Sequence, residues 1–448
     1  MILLEPEKAV RMALELGADY AEIRAENIER LEIIMRNDEL HISTRETGGF
    51  GVRVLLNGAW GFFSANSEPD LQKAVKMAVK MARINKGNVK LAGIRPVNDV
   101  VKSPMKFKPS DVPLEEKMEF LQHILKKLPF EGVRSRTIAY RDFEGKKTLI
   151  TSEGTKIEWE LAGIRMEASV IVSTDGRDAN LFEIHGSVER GFEAMDEFES
   201  KLTTSLKGQV NAFLHGKKPK LHDVPVLVSP YFAGFVAHEA LGHLVEADLF
   251  PNTPLSGKIG ERIAPEFVHL SDGNVKNGHG NDVYDDEGVP VRKVEPVKDG
   301  ILRELLVNRA KAFEFGLEPN GHARAQSYAH EPIIRMRNTY FEPADWSLDE
   351  LVSEVKRGYY LMRPGPGQTG FDSSFTVAVL EGYLIENGEI KEPIFNATAS
   401  GVALEALRNI RGLGRELEFE NSYCGKGQVV TVSMGGPHVL FERGIRVV

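Results

Sequence analysis

Apolar residues recur at helical spacing in three early stretches of this chain and at alternate positions between them. Ala9, Val10, Ala13, Leu14 and Leu16 form the first stripe, and Gly17 closes it, since glycine ends a helix without a Cβ penalty. Leu71, Ala74, Val75, Ala78 and Ala82 form the second, with Ser67-Glu-Pro-Asp70 before it as N-cap and acidic first turn. Leu114, Met118, Leu121, Leu125 and Leu128 form the third. Ala21, Ile23 and Ala25 alternate with Glu22, Arg24 and Glu26, which predicts a strand buried on one face. Val52-Arg-Val-Leu-Leu56 and Trp60-Gly-Phe-Phe63 flank Asn57-Gly58, a type I′ hairpin signal. From Thr137 to about Val188, short alternating segments are separated by Glu144-Gly145, Glu153-Gly154 and Asp175-Gly176, each read as a hairpin turn.

Two stretches interrupt this patterning. Pro96 to Pro113 reads as a linker, and Lys217-Lys-Pro-Lys220 as a second boundary. Beyond residue 222 the chain reads as mostly strand around one short helix, with a late helix from Ser400 to Arg411 closed by Gly412. At 448 residues the chain exceeds the size at which one hydrophobic core stops growing. The expected fold is therefore α+β. An N-terminal unit (1–92) and a middle unit (93–220) pair antiparallel sheet with helices, and a larger, mostly β C-terminal domain (221–448) carries a candidate metal-binding helix.

Composition narrows the function. No run approaches the ~18 apolar residues a membrane span needs, so no membrane partner is expected. A net charge of −9 argues against a broad phosphate-binding surface, and so against nucleic acid as partner. The first residues carry acid where a secretory signal carries base, and the single cysteine cannot form an internal disulfide; both point to the cytoplasm.

The chemistry concentrates at His238-Glu239-Ala240-Leu241-Gly242-His243. Val224 to Val228 reads as a buried strand, and Ser229-Pro230 then supplies an N-cap and a proline at the first helical position. Two histidines four apart share a helical face and can bind one ion, but these are five apart and diverge by about 140° on a regular helix. Gly242 offers the backbone latitude for a π-bulge or a loosened turn that would swing both imidazoles toward one ion. A catalytic zinc site needs three protein ligands and an open position. Cys424, in the turn Asn421-Ser-Tyr-Cys-Gly-Lys-Gly-Gln428, is the natural third ligand, leaving Glu239 as base. Glu246, three residues past His243, is the competing ligand, with Asp248 nearby. The plainer alternative makes the histidines buried hydrogen-bond donors, Glu239 an ion-pair partner and Cys424 a small core residue.

Other features say less. Pro364-Gly-Pro-Gly-Gln-Thr-Gly370 lacks the Gly-Lys-Ser/Thr ending of a phosphate loop and reads as a turn. Asp282, Asp285, Asp286 and Glu287 read as a solvated acidic loop, with calcium as the other option. Arg337 and Asn338, in Arg335-Met-Arg-Asn-Thr339, are candidates for binding substrate and, alongside several tyrosines, its oxyanion; the plainer reading makes the segment the start of a basic strand.

Gly17-Ala-Asp-Tyr-Ala-Glu22, Gly51-Val-Arg-Val54, Asp285-Asp-Glu-Gly288, Arg324-Ala-Gln-Ser-Tyr328, Arg337-Asn-Thr339 and Cys424-Gly-Lys-Gly-Gln428, together with the histidine motif, resemble the TldD/PmbA family of metalloproteases, in its TldD-like branch. The resemblance implies zinc held by His238, His243 and Cys424, with Glu239 as the catalytic glutamate. It also implies unfolded or extended polypeptides as substrates inside an enclosed dimer. That dimer would be a homodimer, or a heterodimer with a TldE-like subunit lacking the motif. The expected activity is a zinc-dependent metallopeptidase using metal-activated water and Glu239 as general base. The rival is a non-catalytic assembly or regulatory protein with a structural zinc, in which Glu239→Gln changes nothing.

Overall fold

The computed structural model describes residues 6–128, 131–174, 176–370 and 372–448. Five long strands dominate the N-terminal half: Tyr20–Arg36, Glu39–Leu56, Val133–Thr151, Lys156–Thr174 and Arg177–Ser187. They belong to one seven-stranded sheet that draws strands from both sides of residue 92. Tyr20–Arg36 lies between Glu39–Leu56 and Val133–Thr151, antiparallel to both. The Asn57-Gly58 turn has positive φ at both residues, as a type I′ turn requires. The helices Pro6–Glu15 and Leu71–Ile84 cover one part of the sheet, burying Ala13, Leu71, Ala74, Val75 and Ala78. Leu114–Lys126 and Met195–His215 cover the other, with Leu121, Ile124, Leu202 and Leu206 in a separate core.

Several expectations need correction. Glu144-Gly145 is not a turn but the middle of the strand Val133–Thr151. Gly145 faces the neighbouring strand so closely that a Cβ there would strike the Asn27 carbonyl oxygen, so the glycine serves close approach rather than reversal. Glu153-Gly154 does turn, with φ +98° at Gly154, whereas Asp175 of Asp175-Gly176 lies outside the described residues. The Pro96–Pro113 stretch contributes a short strand, Asn98–Val101, parallel to residues 156–159. The helix Met195–His215 was not expected at all, although Met195, Phe198, Leu202, Leu206, Val210 and Phe213 carry its period. Glu22 and Arg24 are buried despite their place on the polar side of the alternation, because the C-terminal half packs on that face.

The C-terminal half holds two large sheets with a helix between them, and a small strand pair, 323–324 with 333–334. Strands 294–298, 270–272, 338–341, 429–436 and 418–425 run in that order in a six-stranded sheet edged by 301–302. Strands 410–413, 439–441, 226–228, 357–369, 374–386, 397–402 and 445–447 form most of an eight-stranded one, with 389–394 also on 374–386. The helix Pro230–Ala237 touches 338–341, 418–425 and 429–436 of the first sheet and 357–369 of the second. Gly234 makes this possible: a Cβ there would strike the backbone of Met434 and Gly435. Pro364-Gly-Pro-Gly-Gln-Thr is strand rather than turn, its prolines accommodated by register shifts between Leu361 and Gly367. The late helix is shorter than expected, Ala403–Arg408, and Gly412 sits in the strand that follows.

In the acidic segment at 282–287 Asp282 is half-buried, but the last three acids are not solvated. Asp285, Asp286 and Glu287 are buried, and Asp286 and Glu287 tie the two halves together. Asp286 accepts from Lys147 Nζ at 3.1 Å, and Glu287 from Arg53 at 2.8 Å. Arg53 also donates to Glu22 at 2.9 Å. Asp285 accepts three backbone N–H bonds, from Glu287, Val289 and Ala323.

Candidate metal centre

The strand Val226–Val228 leads directly into the helix Pro230–Ala237, whose start is capped as expected: Ser229 Oγ accepts from the Phe232 amide at 3.2 Å. After Ala237 the helix widens into one π turn, His238–Gly242, and then tightens into the 3-10 turn His243–Val245. The His243 N–H reaches back five residues to the His238 carbonyl. That extra residue cancels the divergence expected of histidines five apart. Gly242 lets this turn press against Met336, whose sulfur occupies the place a Cβ would take.

Cys424 reaches the same point from the strand Glu418–Gly425. The ligand atoms of His238, His243 and Cys424 lie within 4.8 Å of one another. His243 Nε2 is 3.4 Å from Cys424 Sγ, and the two imidazole rings stand nearly perpendicular with centroids 5.2 Å apart. Both ring nitrogens of His238 are buried and make no hydrogen bond of normal geometry to any described residue. An unsatisfied buried polar atom costs about 1–3 kcal/mol, a cost that a cation at this position would remove. Burial pushes the Cys424 thiol up, but the imidazoles of His238 and His243 more than reverse this and bring it to about 5. Burial pulls His243 down, and Glu246 followed by Cys424 lift it to about 10. Thiolate, two imidazoles and orphaned buried nitrogens are what a zinc-type ion requires.

Glu246 is not one of these donors. Its carboxylate, wholly buried, faces the other nitrogen of His243, with Oε2 2.9 Å from Nδ1. Glu239 is half-buried beside His238, and its Oε2 accepts from Thr369 Oγ1 at 2.7 Å. Thr369 was missed because its Pro-Gly stretch read as a turn; as the end of a strand it reaches the motif from the second sheet.

Arg337 and Asn338 are not brought to this cluster as free donors. Arg337 is buried and spends its guanidinium on the carbonyls of Gly321, at 2.7 Å, and Gly280, at 2.9 Å. The Asn338 side chain bonds the Gly273 carbonyl and the amides of Gly280 and Ser433. The neighbouring Arg335 does touch the site's frame, donating to the carbonyls of Cys424 and Gln428 at 2.7 and 2.6 Å. Among the described residues a second group, Glu183, His185 and Glu420, also has ligand atoms within 4.8 Å. There Arg363 already pairs with both carboxylates, so the group is an ionic latch between the middle and C-terminal parts.

The fold and site thus define a protein with a His-His-Cys cluster on a π-bulged helix between two sheets. The profiles of PmbA/TldA metallopeptidase domain 1, central domain and C-terminal domain match residues 21–82, 107–205 and 222–447. A protein of Methanothermobacter thermautotrophicus named metalloprotease is 34% identical over 437 residues, covering 96% of each chain. A zinc metalloprotease TldD homolog of Saccharolobus solfataricus is 32% identical over 444 residues, 97% of this chain and 98% of its own. TldE from Thermococcus kodakarensis shares the fold, with a TM-score of 0.76 at 19% identity over 98% of this chain and 99% of its own. The chain belongs to the PmbA/TldD family. Among the described residues no helix is long and apolar enough to cross a membrane.

Proposed function

We propose that this chain is a zinc-dependent metallopeptidase that cleaves peptide bonds of unfolded or extended polypeptides, with Glu239 as its general base. The observation that carries this reading is the convergence of His238, His243 and Cys424 from distant segments, with a threonine-held carboxylate one residue along the same π turn. Zinc held by these three side chains would acidify water and polarise the scissile carbonyl. The chain's residues supply the rest. Three protein donors would hold the ion and leave it accessible to substrate or water. Glu239 accepts a proton from the attacking water and returns it to the leaving amine, and Thr369 fixes the orientation of that carboxylate. An extended substrate adding to a sheet edge is held through its backbone, which gives broad specificity. The relatives' names support a metalloprotease, one of them a zinc enzyme. The TldE neighbour supports a partner: this chain acts as the motif-bearing subunit, as a homodimer or with a TldE-like chain. A reducing cytoplasm keeps Cys424 available as thiolate.

One observation favours the rival reading. His238 and Cys424 are 0% and 5% exposed, as in a closed structural site. The two readings separate when an unfolded peptide pool is incubated with zinc-loaded wild type and equally loaded Glu239→Gln and the products are analysed by mass spectrometry. Peptidase action requires fragments from wild type and none from the variant. Identical fragment sets would remove Glu239 as base, and no fragments from either, at one zinc per chain, would remove the self-sufficient enzyme.

A further inference from the structure

The cysteine and the second histidine are joined by more than their own contact. Lys426 lies two residues beyond Cys424 in the same glycine-bearing turn. Its Nζ donates to Glu246 Oε2 at 3.1 Å and to the Asp248 carboxylate at 2.9 and 3.1 Å. Glu246 Oε2 is the same atom that receives His243 Nδ1. A single buried carboxylate oxygen therefore holds the imidazole on one side and the cysteine turn on the other. Arg335 straps that turn from elsewhere, through the carbonyls of Cys424 and Gln428. His238 has no comparable carboxylate support, since among the described residues neither of its nitrogens makes a hydrogen bond of normal geometry.

We infer that Lys426 and Glu246 form a positioning clamp that preassembles the His243–Cys424 half of the metal site and leaves His238 as the ligand that completes it. This rests on the reading that His238, His243 and Cys424 hold a metal. The physical reasons are two. A carboxylate accepting from Nδ1 fixes the imidazole tautomer with Nε2 toward the ion, raising its basicity. The lysine bond fixes the cysteine turn relative to the helix, so neither ligand must be ordered when the ion arrives. A surface ion pair would contribute little, but Glu246 is fully buried, so losing Lys426 leaves a buried charge poorly compensated. Lys426 and Glu246 thus act through the ligands and do not touch substrate.

Cobalt(II) titration of the full chain tests this. A thiolate-to-cobalt charge-transfer band reports Cys424 among the ligands, and the titration gives the affinity. Folded Lys426→Met is expected to bind cobalt about 10–100-fold more weakly with a diminished band, and Lys426→Arg to recover most of both. A merely structural lysine would lower the melting temperature of the metal-free chain and leave affinity and band unchanged. Wild-type affinity and band in folded Lys426→Met would overturn the clamp while the His-His-Cys reading stands. If that variant does not fold, Glu246→Gln, which keeps the shape of the side chain, carries the same comparison. Absence of the band in cobalt-loaded wild type would overturn the His-His-Cys reading and the clamp with it.

Discussion

Thr369 is the residue through which the second sheet reaches the motif. Its hydroxyl donates to Glu239 at 2.7 Å, and without it the carboxylate keeps its identity but loses its fixed orientation. On the proposed reading of Glu239 as base, Thr369→Val is expected to lower kcat about tenfold with little change in KM, because a misplaced base slows the proton transfer more than it weakens substrate binding. Thr369→Ser, which keeps the hydroxyl, is expected to recover most of the rate in the same steady-state assay. The candidate metal donors could be named from the sequence, because their chemistry is intrinsic to the side chain and His238, Glu239 and His243 are neighbours in the chain. Thr369 and Lys426 were not, since threonine and lysine are common and only their placement gives them a role. Arg337 and Asn338 show the converse: their donor chemistry suggested substrate, and the fold uses them to satisfy buried carbonyls and amides.

At the scale of the element, the motif helix depends on two kinds of close approach. The π turn from His238 to Gly242 was anticipated from the five-residue spacing and the glycine, both local features. The packing of the preceding turn was not. Gly234 lies directly against the strand 429–436, and its contacts there are backbone atoms that cannot rotate away. Gly234→Ala is expected to destabilise the protein by about 1–3 kcal/mol, read as a lowered denaturant midpoint. On the proposed reading of the His-His-Cys cluster it is also expected to weaken zinc binding, because a helix pushed off that sheet carries His238 and His243 away from Cys424 on the adjoining strand. A glycine needed for backbone contact and one needed for a turn look alike in a sequence. Gly145, read as a turn and found in mid-strand, illustrates the error.

Across the whole molecule, buried ion pairs join parts that the sequence presents as separate. Glu183 and His185 from the middle part meet Arg363 and Glu420 from the C-terminal part. Burial raises the Glu420 carboxyl, but His185, followed by Arg363, outweighs it and holds the group at about 2 against an ordinary 4.5. A carboxylate depressed on folding contributes stability that is present above its unfolded pKa and is lost as pH falls through the folded value. The melting temperature of wild type is therefore expected to fall more steeply from about pH 4.5 to about pH 2 than that of Glu420→Gln, as followed by circular dichroism. Overlapping slopes for the two proteins would mean the latch contributes nothing.

The sequence by itself determined the α+β class, the Asn57-Gly58 hairpin and the capped helix start at Ser229, and it named His238, His243 and Cys424 as candidate metal donors. Each follows from a local period, a turn preference or the chemistry of one side chain. Only the tertiary structure decided that Cys424 and the histidines converge, that Glu246 backs His243 rather than joining the His-His-Cys cluster, and that Asp286 and Glu287 are buried links between halves. Those outcomes depend on which surfaces pack together. Packing is set by contacts between residues far apart in the chain, where the pattern along the sequence carries no record of distance.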